Sequence, residues 1–517
     1  MKNLIAELKM LLKNINNFLN NRYKGTFHNI YYFLKSFSSL EIKNLKQKID
    51  TKSDIWIFDS SSKLTRYSLY SAFSFLITSE LDKKKFNYAI LMCASGPGFC
   101  QVGASPKNPN NPMPCNSCIE TNLNLYNNSK KIFFTKKDNY KKIKSNNETI
   151  RELVQPSKKW LARGNKNSKT VNLIEENLSS AGEKWIEFLE EINTNDLPKV
   201  AIIFNGYSFP ESIIKHYLDD KGVKTFTFEM GFKEDSIFTS TNFAPDYFFD
   251  FDHKVLTNNE KEKLSNYMVR RSKGDFSRGS ISFWNKMDDI NPSLLEKVNK
   301  HSKVITIFLN VPFDTSQALA SELFNDTYDW IDFLSVYIKE NNDYLFIFRS
   351  HPDEIREDKK TNFALSEYIK EKKLHTLSNV LIIRADETTD SYALIKISDL
   401  VLTYNSTITI ESLYFGTNAI NAGHAHFSRI DYFKLAENKE KYLEKVEEFL
   451  KSNTINEKIM QDISSYLYQL IFNSSIDLSS QVESLKKYEY HILDNPPENK
   501  EIQNFVEKLI NNVESKN

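Results

Sequence analysis

The stretch LVLTYNSTITIESLYFGTNAINAG, residues 400–423, holds a strand, a turn, a helix and a second strand in immediate succession. Leu400–Thr403 and Asn418–Ile420 are short apolar runs of the kind buried on both faces of a sheet, and 407–415 between them is spaced as a helix. Strand, helix, strand predicts a parallel pair with a covering crossover.

The same alternation extends outward. Before this stretch, strands are expected at Lys303–Leu309, Tyr344–Phe348 and Val380–Ile383, with helices at about 326–340, 361–373 and 390–398; a further helix follows at about 437–451. In the first half, strands are expected at Ile55–Phe58, Tyr88–Cys93, Lys199–Phe204 and Val223–Phe228, with helices at about 66–80, 172–193 and 211–220. The fold class expected is therefore α/β, with two doubly wound Rossmann-like domains facing across a cleft. The divisions are a helical leader over 1–50, an N-terminal domain over 51–295, a C-terminal domain over 296–475, and C-terminal helices over 476–517 broken at Pro496-Pro497. The polar, glycine-bearing segment at about 272–296 reads as a connector.

The totals agree with two domains plus appended helices, since 517 residues exceed the roughly 150 of one typical domain about threefold. Hydrophobic residues make up 40% and aromatics 13%, which is ample for large cores and excludes disorder of the whole chain. A net charge of +1 argues against a general nucleic-acid binder. No run approaches the ~20 apolar residues of a membrane span, and Lys9 and Lys13 interrupt any signal-peptide core, so a cytoplasmic location is expected. In residues 1–24, Leu4, Leu8, Leu11, Ile15 and Leu19 recur at helical spacing among basic residues. Such a helix either lies on an anionic membrane surface, as a peripheral contact at the inner face, or packs its apolar stripe on the protein body.

Three strand ends of the second half carry polar clusters. They are Asn310-Val311-Pro312-Phe313-Asp314, Arg349-Ser350-His351-Pro352, and Asn405-Ser406-Thr407 followed by Glu411. In doubly wound sheets ligands sit beyond the carboxyl ends of the strands. Hydroxyls and unpaired N–H groups at a strand-to-helix junction suit a phosphate, although Asn and Ser are also ordinary helix caps. Pro352 places His351 at a loop apex, where an imidazole can hydrogen-bond a diphosphate or protonate a leaving phosphate.

All four cysteines, Cys93, Cys100, Cys115 and Cys118, fall within one short window. Cys115 and Cys118 have the spacing of one zinc knuckle, so a structural zinc held by four thiolates is one reading. Reduced cysteines without a metal are a second, with Cys93 an ordinary buried strand thiol, and a disulfide or redox role is a third.

The motif RSHP at 349–352, followed by TYNSTITIESLYFGTNAINAG at 403–423, resembles the donor half of GT-B glycosyltransferases of capsular and surface polysaccharide biosynthesis. NVPFD at 310–314 and FNGYSFPES to FTFEMGF at 204–232 resemble the same group, so the likeness covers roughly residues 200–430. The motifs are shared by sialyltransferase-like, Kdo-transferase-like and teichoic-acid-type enzymes. The resemblance implies a GT-B-like fold and a bacterial inverting glycosyltransferase. Its second half would bind a CMP-, UDP- or GDP-linked sugar and its first half a glycan or glycolipid acceptor of the cell envelope. It implies donor contacts from Asn310, Asp314, Arg349, His351, Asn405, Ser406 and Thr407, and a ribose contact from Glu411.

An inverting transfer needs a group to take the acceptor's proton. Glu229, between an apolar strand and Gly231, is the first candidate and Asp59 the runner-up. Asp250-Phe251-Asp252 matches a metal-nucleotide D-x-D, but with phosphate contacts assigned to a strand-to-helix junction no metal cofactor is expected for catalysis. The competing readings are a CDP-polyol phosphotransferase of teichoic-acid type, a sugar-nucleotide epimerase, and a non-catalytic assembly partner.

Overall fold

The computed structural model describes residues 52–59, 68–102, 115–135, 147–274, 287–314, 317, 320, 322–356, 360–452, 454–486 and 489–515. The expected helical leader over 1–50, with its amphipathic stripe at 1–24, lies outside them, as does the middle of the expected connector, 275–286.

The chain divides into two compact units. The first comprises the described residues up to Ala162, then Asn167–Pro245, and Ser475 onward; the second comprises Arg163–Lys166 and Asp246–Ser474. In the first unit, β1 (Ile55–Phe58), β2 (Tyr88–Ala94), β3 (Lys131–Thr135), β4 (Val200–Phe204), β5 (Lys224–Met230) and β6 (Ser236–Ser240) precede the second unit in sequence. The second unit contributes β7 (Lys303–Phe308), β8 (Tyr344–Arg349), β9 (Val380–Ile383), β10 (Leu400–Thr403) and β11 (Ala419–Asn421). Then β12 (Ser475–Asp477) returns to the first sheet, and β13 (Val482–Lys486) with β14 (Glu489–Ile492) forms a hairpin.

The first sheet has the order β12-β6-β5-β4-β1-β2-β3 and the second β11-β10-β7-β8-β9. Strands β5-β4-β1-β2-β3 are mutually parallel, β6 and β12 add antiparallel edges, and the second sheet is parallel throughout. Counted within each unit, both parallel sheets run 3-2-1-4-5. Strand order therefore reverses between β1 and β4 in the first unit and between β7 and β10 in the second, and crevices open outside the strand ends at such reversals. The α/β class with two doubly wound units, expected from the sequence, holds.

The strands are continuous apolar runs because helices cover both faces of the sheets. On one face of the first sheet, Ile55, Ile57, Ile202, Phe226 and Phe228 pack with the helices Leu69–Lys83 and Lys500–Glu514. On the other, Trp56, Phe58, Leu91 and Ile203 pack with Ser168–Glu190 and Glu211–Asp220, centred on the buried Trp185. In the second unit, Ile305, Ile307, Phe346, Phe348, Leu400 and Leu402 pack with Thr327–Glu340, Leu365–Glu371 and Lys439–Lys451. Each fully buried large apolar side chain in these clusters contributes about 1.5–3 kcal/mol.

Two boundaries differ from expectation. The first unit ends at Pro245 rather than 295, because the helix Asn258–Ser272 packs on Glu457–Phe472, with the Tyr267 and Phe472 rings 5.8 Å apart. Residues 476–517, expected as helices, hold strands as well as a helix and belong to the first unit. β12 pairs with β6, Ile476 opposite Ile237, and the helix Lys500–Glu514 buries Ile502, Phe505, Val506, Leu509 and Val513 in the first unit's core. Those five positions share one helical stripe.

Candidate functional site

In the second unit the chain leaves β7 through Leu309, whose N–H donates to Arg349 O (3.0 Å), and turns at Val311–Asp314, where Asp314 N–H donates to Val311 O (3.1 Å). Across the strand-order reversal, Asn310 Nδ2 donates to Asn405 Oδ1 (3.1 Å), and so does Gln317 Nε2 (2.5 Å). Thr327 Oγ1 donates in turn to Gln317 Oε1 (3.2 Å). The structure thus brings together the expected Asn310 and Asn405. Two buried polar atoms at these strand ends, Asn310 Oδ1 and Ser350 Oγ, have no hydrogen-bond partner among the described residues. Such orphans are costly unless a ligand or solvent satisfies them.

His351 caps the short 3₁₀ turn Pro352–Glu354, and its Nδ1 accepts from Asp353 N–H (3.1 Å). That bond places the proton of the neutral ring on Nε2, which makes Nε2 a donor suited to a phosphate oxygen. Glu354 is only 2% exposed and accepts from Leu365 N–H (3.1 Å). Burial pushes its carboxyl up to about 7, with Glu367 adding to the shift.

Two expected donor contacts are committed elsewhere. Arg349, 3% exposed, donates through Nη1 to Arg384 O (2.6 Å) and through Nη2 to Glu387 O (3.0 Å), so its guanidinium clamps the loop after β9. Glu411, 2% exposed, accepts from Arg271 Nε at one oxygen (2.7 Å) and from Tyr392 Oη at the other (2.6 Å). Burial opposes the Arg271 charge, but the neighbouring Glu411 more than compensates and its pKa lies above the usual value. Burial and the same carboxylate drive the Tyr392 hydroxyl well up. Glu411 therefore joins its own helix to Asn258–Ser272 and Ser391–Ile397 instead of presenting a carboxylate to a ribose.

Ser406 and Thr407 stand where β10 gives way to the helix Ile408–Tyr414. That helix has only seven residues and Thr407 makes no side-chain cap, so hydroxyls rather than a helix dipole supply the polarity there. Thr407 Oγ1 instead lies 3.5 Å from Nε2 of His426, in the loop after β11. His426 Nδ1 is 3.0 Å from Tyr466 Oη, which itself donates to His426 O (2.7 Å). His426 is absent from the sequence expectations. The signal that could have found it is the pair His424 and His426 just beyond an expected strand, two of the nine histidines within three residues.

In the first unit Glu229 ends β5 half-buried. Its carboxylate accepts from Tyr70 Oη, from Asn205 Nδ2 (2.6 Å) and from Met230 N–H (3.0 Å). Asn205 follows β4 with φ +58° and Gly206 with φ +80°, and a Cβ at Gly206 would meet Thr227 Cγ2 at 2.7 Å. Only glycine fits that return of the chain. Asp59 ends β1 but is 2% exposed and accepts from the buried Tyr126 Oη (3.2 Å), so it is not presented to an acceptor.

All four cysteines are free thiols, and Cys100, Cys115 and Cys118 lie close enough to Cys93 to add to the upward push that burial gives its thiol. The strand period of two puts Cys93 on the face of Ala89 and Leu91, against Phe99, whereas Cys115 packs with Met92 and Ala94 on the opposite face. Burial raises the thiols, well up for Cys93 and to about 11 for Cys115. Among the described residues no three His, Cys, Asp or Glu side chains are placed to hold a metal ion, Asp250 and Asp252 included, and both of those are exposed. Nor, among the described residues, is any helix long and apolar enough to cross a membrane.

No family model and no curated protein matches the sequence. Solved structures similar to it include two from Thermosulfurimonas dismutans. KpsC, a β-Kdo 2,4 transferase, is 12% identical at a TM-score of 0.37 over 60% of this chain and 87% of that one. The KpsC β-Kdo 2,7 transferase is 12% identical at 0.31 over 60% and 84%. UDP-GlcNAc 2-epimerase of Methanocaldococcus jannaschii, solved with UDP-GlcNAc and UDP, is 13% identical at 0.28 over 79% and 97%. No residue role follows from likenesses of this degree.

Proposed function

We propose that the protein is an inverting glycosyltransferase that uses a nucleotide-activated sugar to extend a surface glycan, as the sequence resemblance implies. The observation that carries the reading is the polar cluster at the reversal of the second sheet. Asn310 and Asn405 are joined across it, His351 is fixed with its proton on Nε2, and buried polar atoms of Asn310 and Ser350 are left open. That is the place where doubly wound sheets take phosphate-bearing ligands; His351 Nε2 and the Ser350 hydroxyl can donate to phosphate oxygens, whereas Asn310 Oδ1 accepts and suits a ligand hydroxyl.

Glu229 is the general base in this reading. Tyr70 and Asn205 orient its carboxylate at a strand end, so that it can take the proton of an acceptor hydroxyl as that oxygen attacks the sugar carbon. The departing nucleotide keeps the bonding electron pair and is stabilised by hydrogen-bond donors at its phosphate.

Turnover with CMP-, UDP- and GDP-linked sugars, read by the nucleotide released and the glycan formed, tests the activity. Glu229→Gln is expected to slow transfer by about 10²–10⁴-fold while nucleotide binding, followed by thermal stabilisation, stays at the wild-type level. A Gln variant that transfers at an undiminished rate would falsify the base assignment. Turnover of a nucleotide sugar to its epimer, with no acceptor, would replace the transferase reading.

A further inference from the structure

The loop after β11 carries a histidine whose hydrogen bonds fix its tautomer. Tyr466 has one hydroxyl proton, and it is directed to His426 O at 2.7 Å. At the 3.0 Å contact between Tyr466 Oη and His426 Nδ1, the ring nitrogen must therefore be the donor. In the neutral ring Nε2 then has no proton and can only accept, and Thr407 Oγ1 faces it at 3.5 Å. This is the reverse of His351, whose Nδ1 accepts and whose Nε2 donates.

The charged and titratable groups around the ring come from three elements. Tyr466 lies on the helix Glu457–Phe472, with its ring stacked on His426 at 15°. Tyr247, next to Asp246, meets the ring edge-on at 6.2 Å. Within the loop itself, Arg429 Nε donates to His426 O (3.1 Å), and His424 Nε2 lies 3.8 Å from Asp246 Oδ1. Arg429 opposes a further positive charge here and Asp246 favours one.

An anionic oxygen docking at the Thr407 hydroxyl would meet a lone pair on Nε2 and be repelled, unless the ring gains a proton and becomes a donor at both nitrogens. We propose that His426 is a phosphate-binding residue that takes up a proton when the nucleotide's phosphate docks beside Thr407. This rests on the donor-site reading and adds a residue and a proton linkage to it.

The test is calorimetric titration of the full-length protein with CMP, UDP and GDP at about pH 7.5, above the ordinary imidazole pKa of about 6.5. Repeating it in buffers of different ionisation enthalpy counts the protons taken up. His426→Gln shares any titration of the nucleotide itself, so the difference between wild type and variant belongs to the ring. The expected difference is up to about one proton per nucleotide, with affinity weakened in the variant. Tyr466→Phe removes the acceptor that holds the tautomer. It is expected to keep binding but take up fewer protons than wild type, which a purely structural role for His426 would not produce.

Equal proton uptake in wild type and His426→Gln, with binding intact in both, overturns the inference and leaves the donor site standing. Absence of binding by wild type to any of the three nucleotides overturns the donor-site reading, and the inference falls with it.

Discussion

Glu354 sits buried in the short turn that His351 caps. The Glu354 carboxyl, raised by burial to about 7 from an ordinary 4.5, keeps its proton in the folded chain over a range where the unfolded chain has lost it. The stability it supplies is complete below about pH 4.5 and is lost as pH rises to about 7, a decline on the order of 3 kcal/mol. Glu354→Gln is expected to flatten that part of the curve, measured by urea unfolding from pH 4.5 to 8; an unchanged slope would show that another group carries it. At the same scale, sequence reading located strand-end residues well but assigned their partners poorly. Arg349 and Glu411 occupy the expected positions, yet a charged residue after a strand looks the same whether it meets a ligand or a buried partner. The partner of Glu411 is Arg271, 140 residues earlier in the chain, and nothing local to either residue announces the pair. Asn310 and Asn405 were easier to place, because both sit on short turns whose strands are adjacent in the sheet.

Among the elements, the buried Arg271–Glu411 pair ties the helix Asn258–Ser272 to the helix Ile408–Tyr414. Removing one member leaves the other charge buried without compensation, which typically costs about 3–5 kcal/mol. Arg271→Met is expected to destabilise the second unit by that amount in denaturant unfolding, and Arg271→Met with Glu411→Leu to recover most of it. Additive losses in the double variant would contradict the coupling. Every parallel strand but β3 was legible because it is a largely apolar run, and β7, β9 and β10 fall within a residue of expectation. The missed strands lack that signal. β3 alternates buried and half-buried residues, β6 ends in polar residues, and β12 has three residues with only Ile476 buried. Their strand state is set by pairing with a neighbour and not by their own composition.

At the scale of the whole molecule, both units use the 3-2-1-4-5 strand order, and the second is inserted into the first. The first unit's core is closed by Phe505, whose ring lies 5.8 Å from Phe73 and 5.9 Å from Phe226, together with Val506 and Leu509. A chain ending after residue 474 is expected to leave that core open. Hydrogen exchange should show lost protection in β4, β5 and the helix Leu69–Lys83, while β7, β8 and β10 keep theirs. Retained protection throughout would mean that the returning segment is dispensable.

The insertion also sets an order of events during synthesis. As the polypeptide leaves the ribosome, every strand of the inserted unit emerges before Ser475–Asp477 and the helix Lys500–Glu514 exist. The part translated first is thus the part finished last, and its apolar face, with Phe73, Phe226 and Phe228, stays uncovered while some 230 intervening residues are made. A nascent chain in that state presents chaperones with a long-lived hydrophobic surface, and the rate of translation through the insert governs how long it lasts.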